Sequence, residues 1–264
     1  MTTKYQVITS IADVKARLEQ PQLNTQLVTG EIFFAEEDLE EYVKGYCEHD
    51  NTWGFVKKEN LSTEIYTPTH TVNNPQIILQ TTHKVQSEVT RMMHFGAKVI
   101  VTSEGEGKGD DGELFSQLST GEWTMTTNLT PIEQLEKDYI KTARRFLHTP
   151  YRWGGRTSFG IDCSAFIQIA LSAAGLSNIP KNSRIQSESD ALGKIVTTPK
   201  KGDIVFFKGH VGIMTTDKNF LHAVGDRPRG GYDGRLGMRV REEPLEEALE
   251  LLGKDITFIR RPKV

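Results

Sequence analysis

A chain of 264 residues is longer than one typical domain and points to two or three folding units. Its hydrophobic fraction of 37%, charged fraction of 25% and formal net charge of −3 fit a soluble globular protein and argue against nucleic acid as the main partner, because phosphate binding needs a basic surface. No apolar run approaches the roughly 20 residues of a membrane span, and the opening Met1-Thr2-Thr3-Lys4-Tyr5 lacks the basic and apolar pattern of an export signal, so the expectation is a cytoplasmic protein.

The first 128 residues read as short strands. Gln26-Leu27-Val28 precedes a Thr29-Gly30 turn and then Glu31-Ile32-Phe33-Phe34-Ala35; Tyr42 to Cys47 and Trp53-Gly54-Phe55-Val56 follow. Such spacing, with Gly and Asn/Asp turns, predicts a small β-barrel. The acidic run Glu36-Glu37-Asp38-Leu39-Glu40-Glu41 reads as a solvated loop. A similar order recurs downstream. Phe95 to Val101 resembles Thr29 to Ala35, and Gly121-Glu122-Trp123-Thr124-Met125 resembles Trp53 to Val56. Two divergent copies of one barrel are therefore expected, over residues 1–64 and 65–128. The glycine-rich stretch from Gly105 to Gly112 lacks the GK[ST] ending of a phosphate loop and the terminal Glu of a calcium loop, and is read as a hairpin loop.

Thr130-Pro131-Ile132-Glu133 has the pattern of a capped helix start. Ile132, Leu135, Tyr139, Ala143 and Phe146 recur at helical spacing, and Thr149-Pro150 closes the segment. This helix is expected to open a third domain, 129–264.

Cys163 is the candidate nucleophile. A loop with Gly154, Gly155 and Gly160 leads into it, and an almost wholly apolar helix follows, ending near Gly175. In the first turn of that helix, backbone N–H groups and the macrodipole would favour a thiolate and stabilise an oxyanion. Gly202 to Phe207, His210 to Met214 and Asn219 to Val224 read as three successive strands. A three-residue loop at 216–218 would place Gly212 opposite His222 and set both histidines on one face. Cysteine, base and orienting group are the parts of a thiol nucleophile. Close-paired metal ligands are missing, so neither metal nor cofactor is expected. Cys47 reads as a small hydrophobe on a strand. It lies in a different predicted domain from Cys163, so no disulfide is expected. Arg227, Arg229 and Arg235, on a glycine-rich loop, read as solvated.

The pieces Tyr151-Arg152-Trp153-Gly154-Gly155, Gly160-Ile161-Asp162-Cys163-Ser164, Gly202 to Phe207, Gly209-His210-Val211-Gly212-Ile213 and Leu221-His222-Ala223 resemble the NlpC/p60 cysteine peptidases. The N-terminal half resembles the paired bacterial SH3 domains of one branch of that family, the γ-D-glutamyl-L-diamino acid endopeptidases. The resemblance implies an α+β protein, a papain-like catalytic domain preceded by two small SH3-like barrels. Its substrates would be peptidoglycan-derived peptides bearing a free N-terminal L-alanine.

In that reading Cys163 attacks the carbonyl, His210 is the base and His222 orients His210. Tyr151 lies near the oxyanion, Trp153 shapes the cleft and Ser164 lines the substrate pocket. The family's Pro-Arg-Asp-Ser stands here as Pro180-Lys181-Asn182-Ser183, so Asn182 replaces an aspartate that meets the substrate's ammonium. Ala165 replaces a glycine, and Asp50-Asn51-Thr52-Trp53-Gly54-Phe55 replaces a segment whose aromatic would cap the cleft. Thr52 or Trp53 would take that place. The same chemistry would serve an exported lysin or effector, or an acyltransferase. A wall-binding module without catalysis is the alternative of a different class, and the intact Cys163, His210 and His222 argue against it.

Overall fold

The computed structural model describes residues 2–109, 111–225 and 238–263. Arg227, Arg229 and Arg235 lie outside them. The chain forms two compact units. One is Met1–Glu48 with Trp53–Gln134, and the other is His49–Thr52 with Leu135–Val264.

The first unit is built of antiparallel strands. Its first half is one sheet in the order Leu23–Val28, Ile11–Lys15, Trp53–Lys57, Tyr42–Cys47, Ile32–Asp38, Thr3–Val7 and Leu61–Ser62. Its second half divides into a five-stranded and a three-stranded sheet. The expectation of closed barrels is not met: among the described residues no pairing joins the outer strands of either half. The acidic run also differs from the loop expected. Glu36, Glu37 and Asp38 extend the strand Ile32–Asp38 past a bulge between Ala35 and Glu37, where their side chains face solvent.

The internal likeness is carried by the main chain. Gly30 N–H donates to the Val7 carbonyl at 2.8 Å, and Gly96 N–H to the Val72 carbonyl at 2.9 Å. Both glycines have φ of +82°, a conformation that side chains resist. Val7 N–H returns to the Glu31 carbonyl and Val72 N–H to that of Ala97. A 3₁₀ turn, Lys58–Asn60 or Thr126–Asn128, then leads into a last short strand in each half. Each half has its own apolar cluster, one around Phe33, Val43 and Val56 and the other around Leu79, Met93 and Val99.

In the second unit the first helix is shorter and later than predicted, Tyr139–Arg144. Asp138 is its N-cap, accepting from the N–H groups of Ile140 and Lys141. Thr130 and Pro131 instead belong to a strand paired with Thr71 and His70. A β ladder has captured the residues that a local capping pattern assigned to the helix, while the carboxylate seven residues beyond Pro131 makes the better cap.

A six-stranded antiparallel sheet follows, in the order Lys194–Ile195, Ile256–Arg261, Ile204–Phe207, His210–Met214, Asn219–Ala223 and Val240–Pro244. On one face Val205, Phe207, Met214, Phe220 and Ile259 pack with Ala248 and Leu252 of the helix Leu245–Leu252. Phe220 is fully buried, and withdrawing such a side chain from water contributes about 1.5–3 kcal/mol. The helix Cys163–Ala173 lies against the His210 and Asn219 strands. It ends as its sequence predicts: Gly175, at φ +91°, donates to Ser172, and Leu176 N–H closes on the Leu171 carbonyl.

Candidate active site

A glycine-lined hairpin aims the candidate nucleophile. Residues Arg156–Thr157 pair with Gly160–Ile161. A β-carbon on Gly155 would come within 2.3 Å of the Gly160 carbonyl oxygen, and one on Gly160 within 2.5 Å of Arg152 Cβ, so both positions demand glycine. The chain then reaches Asp162, the N-cap of the helix. Its Oδ1 accepts from Ala165 N–H and from the Ser164 hydroxyl, each at 2.8 Å. Its Oδ2 accepts from Gly154 N–H at 3.0 Å and from Lys181 Nζ at 2.7 Å. One buried carboxylate thus ties the loop, the helix start and a later segment together. A cap alone contributes about 1 kcal/mol, and removing this one would also strand the charge of Lys181.

Cys163 is the first residue of the helix and is 8% exposed. Burial, reinforced by the charge of Asp162, pushes the thiol up to about 12, against smaller opposing effects of Lys181 and the backbone N–H groups of Val211 and Ser164. Val211 directly follows His210, and the helix that Cys163 begins packs against the strand His210–Met214.

The register of the two histidine strands is the one that unites their side chains. Gly212 pairs with His222, Ile213 with Leu221 and Met214 with Phe220. The loop is closed by Thr215 N–H donating to the Asn219 carbonyl at 2.9 Å. His210 Nε2 and His222 Nδ1 are 2.8 Å apart, and both rings are buried. Gly212 makes this possible. A β-carbon there would lie 2.4 Å from Phe220 Cζ and 2.7 Å from His222 Cβ. Burial depresses the imidazole of His210 well below its ordinary range, with His222 and Lys254 acting in the same direction. Burial lowers His222 too, opposed by Glu243. Burial thus favours the neutral form of the thiol and of both imidazoles.

Glu243 is the member that sequence reasoning missed. It lies on the strand Val240–Pro244, where Arg241 pairs with His222 and Glu243 with Phe220. Its Oε1 is 2.8 Å from His222 Nε2, and Arg241 donates to its Oε2. Burial works to raise this carboxyl, but the bonds from His222 and Arg241 outweigh it and hold it below the usual range. Nothing in the local sequence singles out Glu243, and only the strand register distinguishes it from Glu242. Glu242 instead pairs with Arg144 at 2.7 Å.

The residues expected to bind substrate are placed as follows. Tyr151 is half-buried, with its ring against Gly225, where a β-carbon would meet it at 2.3 Å. Trp153 is 65% exposed, on the loop ahead of the nucleophile. Ser164 and Ser183 are buried, the former with its hydroxyl bound to Asp162. Asn182 has φ +82° and caps the short helix Ser183–Glu188, its Oδ1 accepting from Arg184 N–H. Thr52 falls in the second unit with Asp50, whose Oδ2 accepts from Gln168 Nε2 of the helix Cys163–Ala173 at 2.8 Å. Trp53 begins a strand of the other unit, its ring 5.4 Å from that of Tyr46.

Residues 148–229 match the model of the NlpC/P60 family. A γ-D-glutamyl-L-lysine dipeptidyl-peptidase from Bacillus subtilis strain 168 is 34% identical over 141 residues, covering 51% of this chain and 45% of that protein. A probable endopeptidase NlpC homolog from Haemophilus influenzae is 35% identical over 101 residues, 37% of this chain and 54% of that protein. The chain spans about half the length of these curated relatives. A crystal structure of an NlpC/P60 family protein from Bacillus cereus ATCC 10987 superimposes with a TM-score of 0.74 at 21% identity, covering 98% of this chain and 99% of the other. That likeness establishes the fold, which here is mixed, rich in strands and sparing in helices.

Proposed function

We propose that this protein is a cysteine endopeptidase that hydrolyses the amide between the side-chain carboxyl of D-glutamate and a diamino acid in peptidoglycan-derived peptides. The observation that carries the reading is the buried His210–His222 pair, held on two adjacent strands that pack against the helix begun by Cys163. A relative named for the γ-D-glutamyl-L-lysine bond and matching about half of this chain supports the substrate class. The repeated N-terminal halves are read as two SH3-like modules, about 1–64 and 65–128, ahead of a peptidase domain at 129–264. The reaction is placed in the cytoplasm, where a free nucleophilic thiol persists.

The chemistry follows from the neutral resting state. As Cys163 attacks the γ-carbonyl, its proton passes to His210, and N–H groups at the helix start take up the oxyanion charge. His210 then gives that proton to the departing amine, leaving a thioester. Water attacks the thioester, His210 accepts and returns a proton, and the free γ-carboxyl leaves with the thiol restored. Tyr151, Trp153, Ser164, Asn182 and Ser183 are assigned to the substrate pocket in this reading.

Incubation with L-Ala-γ-D-Glu-diaminopimelate, with products followed by mass spectrometry, tests it. Release of L-Ala-D-Glu, lost in Cys163→Ala, is the expected outcome. Retained binding to wall sacculi without turnover would replace it with a binding module.

A further inference from the structure

We propose that Glu243 is a positioning residue that sets the order of protons along the His210–His222 pair. The proposal rests on the reading of Cys163 as nucleophile and His210 as its base. Two neutral imidazoles joined by one hydrogen bond can be arranged in two ways. In one, His210 Nε2–H donates to His222 Nδ1, and His210 Nδ1 keeps its lone pair. In the other, His222 Nδ1–H donates to His210 Nε2, and the proton of His210 sits on Nδ1. Only the first leaves a nitrogen able to take the thiol proton. The bond between the rings, 2.8 Å from His210 Nε2 to His222 Nδ1, is the same length in either case and cannot choose.

Glu243 supplies the choice. Its ionised carboxylate can only accept, and its Oε1 is 2.8 Å from His222 Nε2. That nitrogen must therefore carry the proton of neutral His222, which leaves Nδ1 as an acceptor and obliges His210 to donate through Nε2. Arg241, bonded to the other carboxylate oxygen, keeps Glu243 ionised and fixes its rotamer. The charged or titratable groups acting on the pair are Glu243 and Arg241 from the neighbouring strand and Lys254 beyond the helix Leu245–Leu252. When His210 becomes cationic during attack, the same carboxylate stabilises it across His222 without taking the proton, the task a buried aspartate performs behind the histidine of a serine triad.

The test reads the protons directly and needs no substrate. In ¹⁵N-labelled full-length protein at pH 7.5, long-range ¹H–¹⁵N spectra should show both His210 and His222 as Nε2–H tautomers. In Glu243→Ala, an Nδ1–H population of His210 should appear. Iodoacetamide alkylation of Cys163, resolved from Cys47 by peptide mass spectrometry, should slow by about tenfold or more. Glu243→Gln preserves volume but can either accept from or donate to Nε2. It should shift both readouts less and in the same direction, and it carries the test if the alanine variant fails to fold. On the peptide substrate, kcat should fall with KM unchanged. Unchanged tautomers and an alkylation rate within twofold of the parent would overturn the role of Glu243. If the parent protein shows the expected tautomers but no cleavage, the peptidase reading fails while the positioning of the imidazole pair stands.

Discussion

At the residue scale the site is a set of titratable groups held neutral by burial. Cys163 and His210 each lose the hydration that would support a charge, and neither gains enough from its neighbours to restore it. This has a consequence for stability. Above pH 6.5 the two buried imidazoles are neutral in the folded and unfolded chain alike. Below it the unfolded chain takes up protons that the folded one resists, so stability falls as pH falls. At the other end, the unfolded thiol ionises near 9.0 and the folded one near about 12, so stability also falls as pH rises above 9. Each group contributes at most about 1.4 kcal/mol per pH unit. Urea midpoints between pH 5 and 8 should show the acid slope in the parent and a shallower one in His210→Gln. Parallel curves would remove His210 as its source.

At the element scale, what matters is the register of three strands. The loop between Met214 and Asn219 sets Gly212 opposite His222, and the next ladder sets Arg241 opposite His222. A slip of one residue would send an imidazole to the other face of the sheet. Gly212 is the tightest point of this arrangement, because the rings of Phe220 and His222 occupy the space that a side chain there would need. Gly212→Ala should therefore cost about 1–3 kcal/mol in a denaturation curve. By displacing His222 it should also lower kcat by about 10–100-fold. A variant with parental kcat would show that the imidazole pair tolerates the shift. The helix signals were unequal guides. Gly175 marks a C-terminus because only its own φ is at stake, whereas Thr130-Pro131 lost its predicted helix to a ladder formed with Thr71 and His70.

At the scale of the whole molecule, the chain divides its apolar residues among separate cores. Phe33 is fully buried in the cluster of the first half, while Val205, Met214 and Phe220 belong to that of the six-stranded sheet. Phe33→Ala should cost about 3–5 kcal/mol of the stability of its own unit. Hydrogen exchange should then rise in the strands around Phe33 while the amides of Ile204–Phe207 and His210–Met214 keep their protection. Equal loss of protection in both would show that the two units unfold as one. Gly30 and Gly96 stand at matching turns of the first unit, since a turn at φ +82° leaves few residues to choose from. Barrel closure was not legible, because it depends on whether distant edge strands meet.

Local pattern sets where Cys163, His210 and His222 lie along the chain. The glycines before Cys163, the apolar helix after it and the strands bearing His210 and His222 are dictated by short-range sterics and hydrophobic periodicity, which act within a few residues. Long-range packing sets the burial of Cys163, the capture of Thr130 by a strand and the place of Glu243 behind His222. Burial and cross-strand register arise from segments far apart in sequence, and no local pattern encodes them.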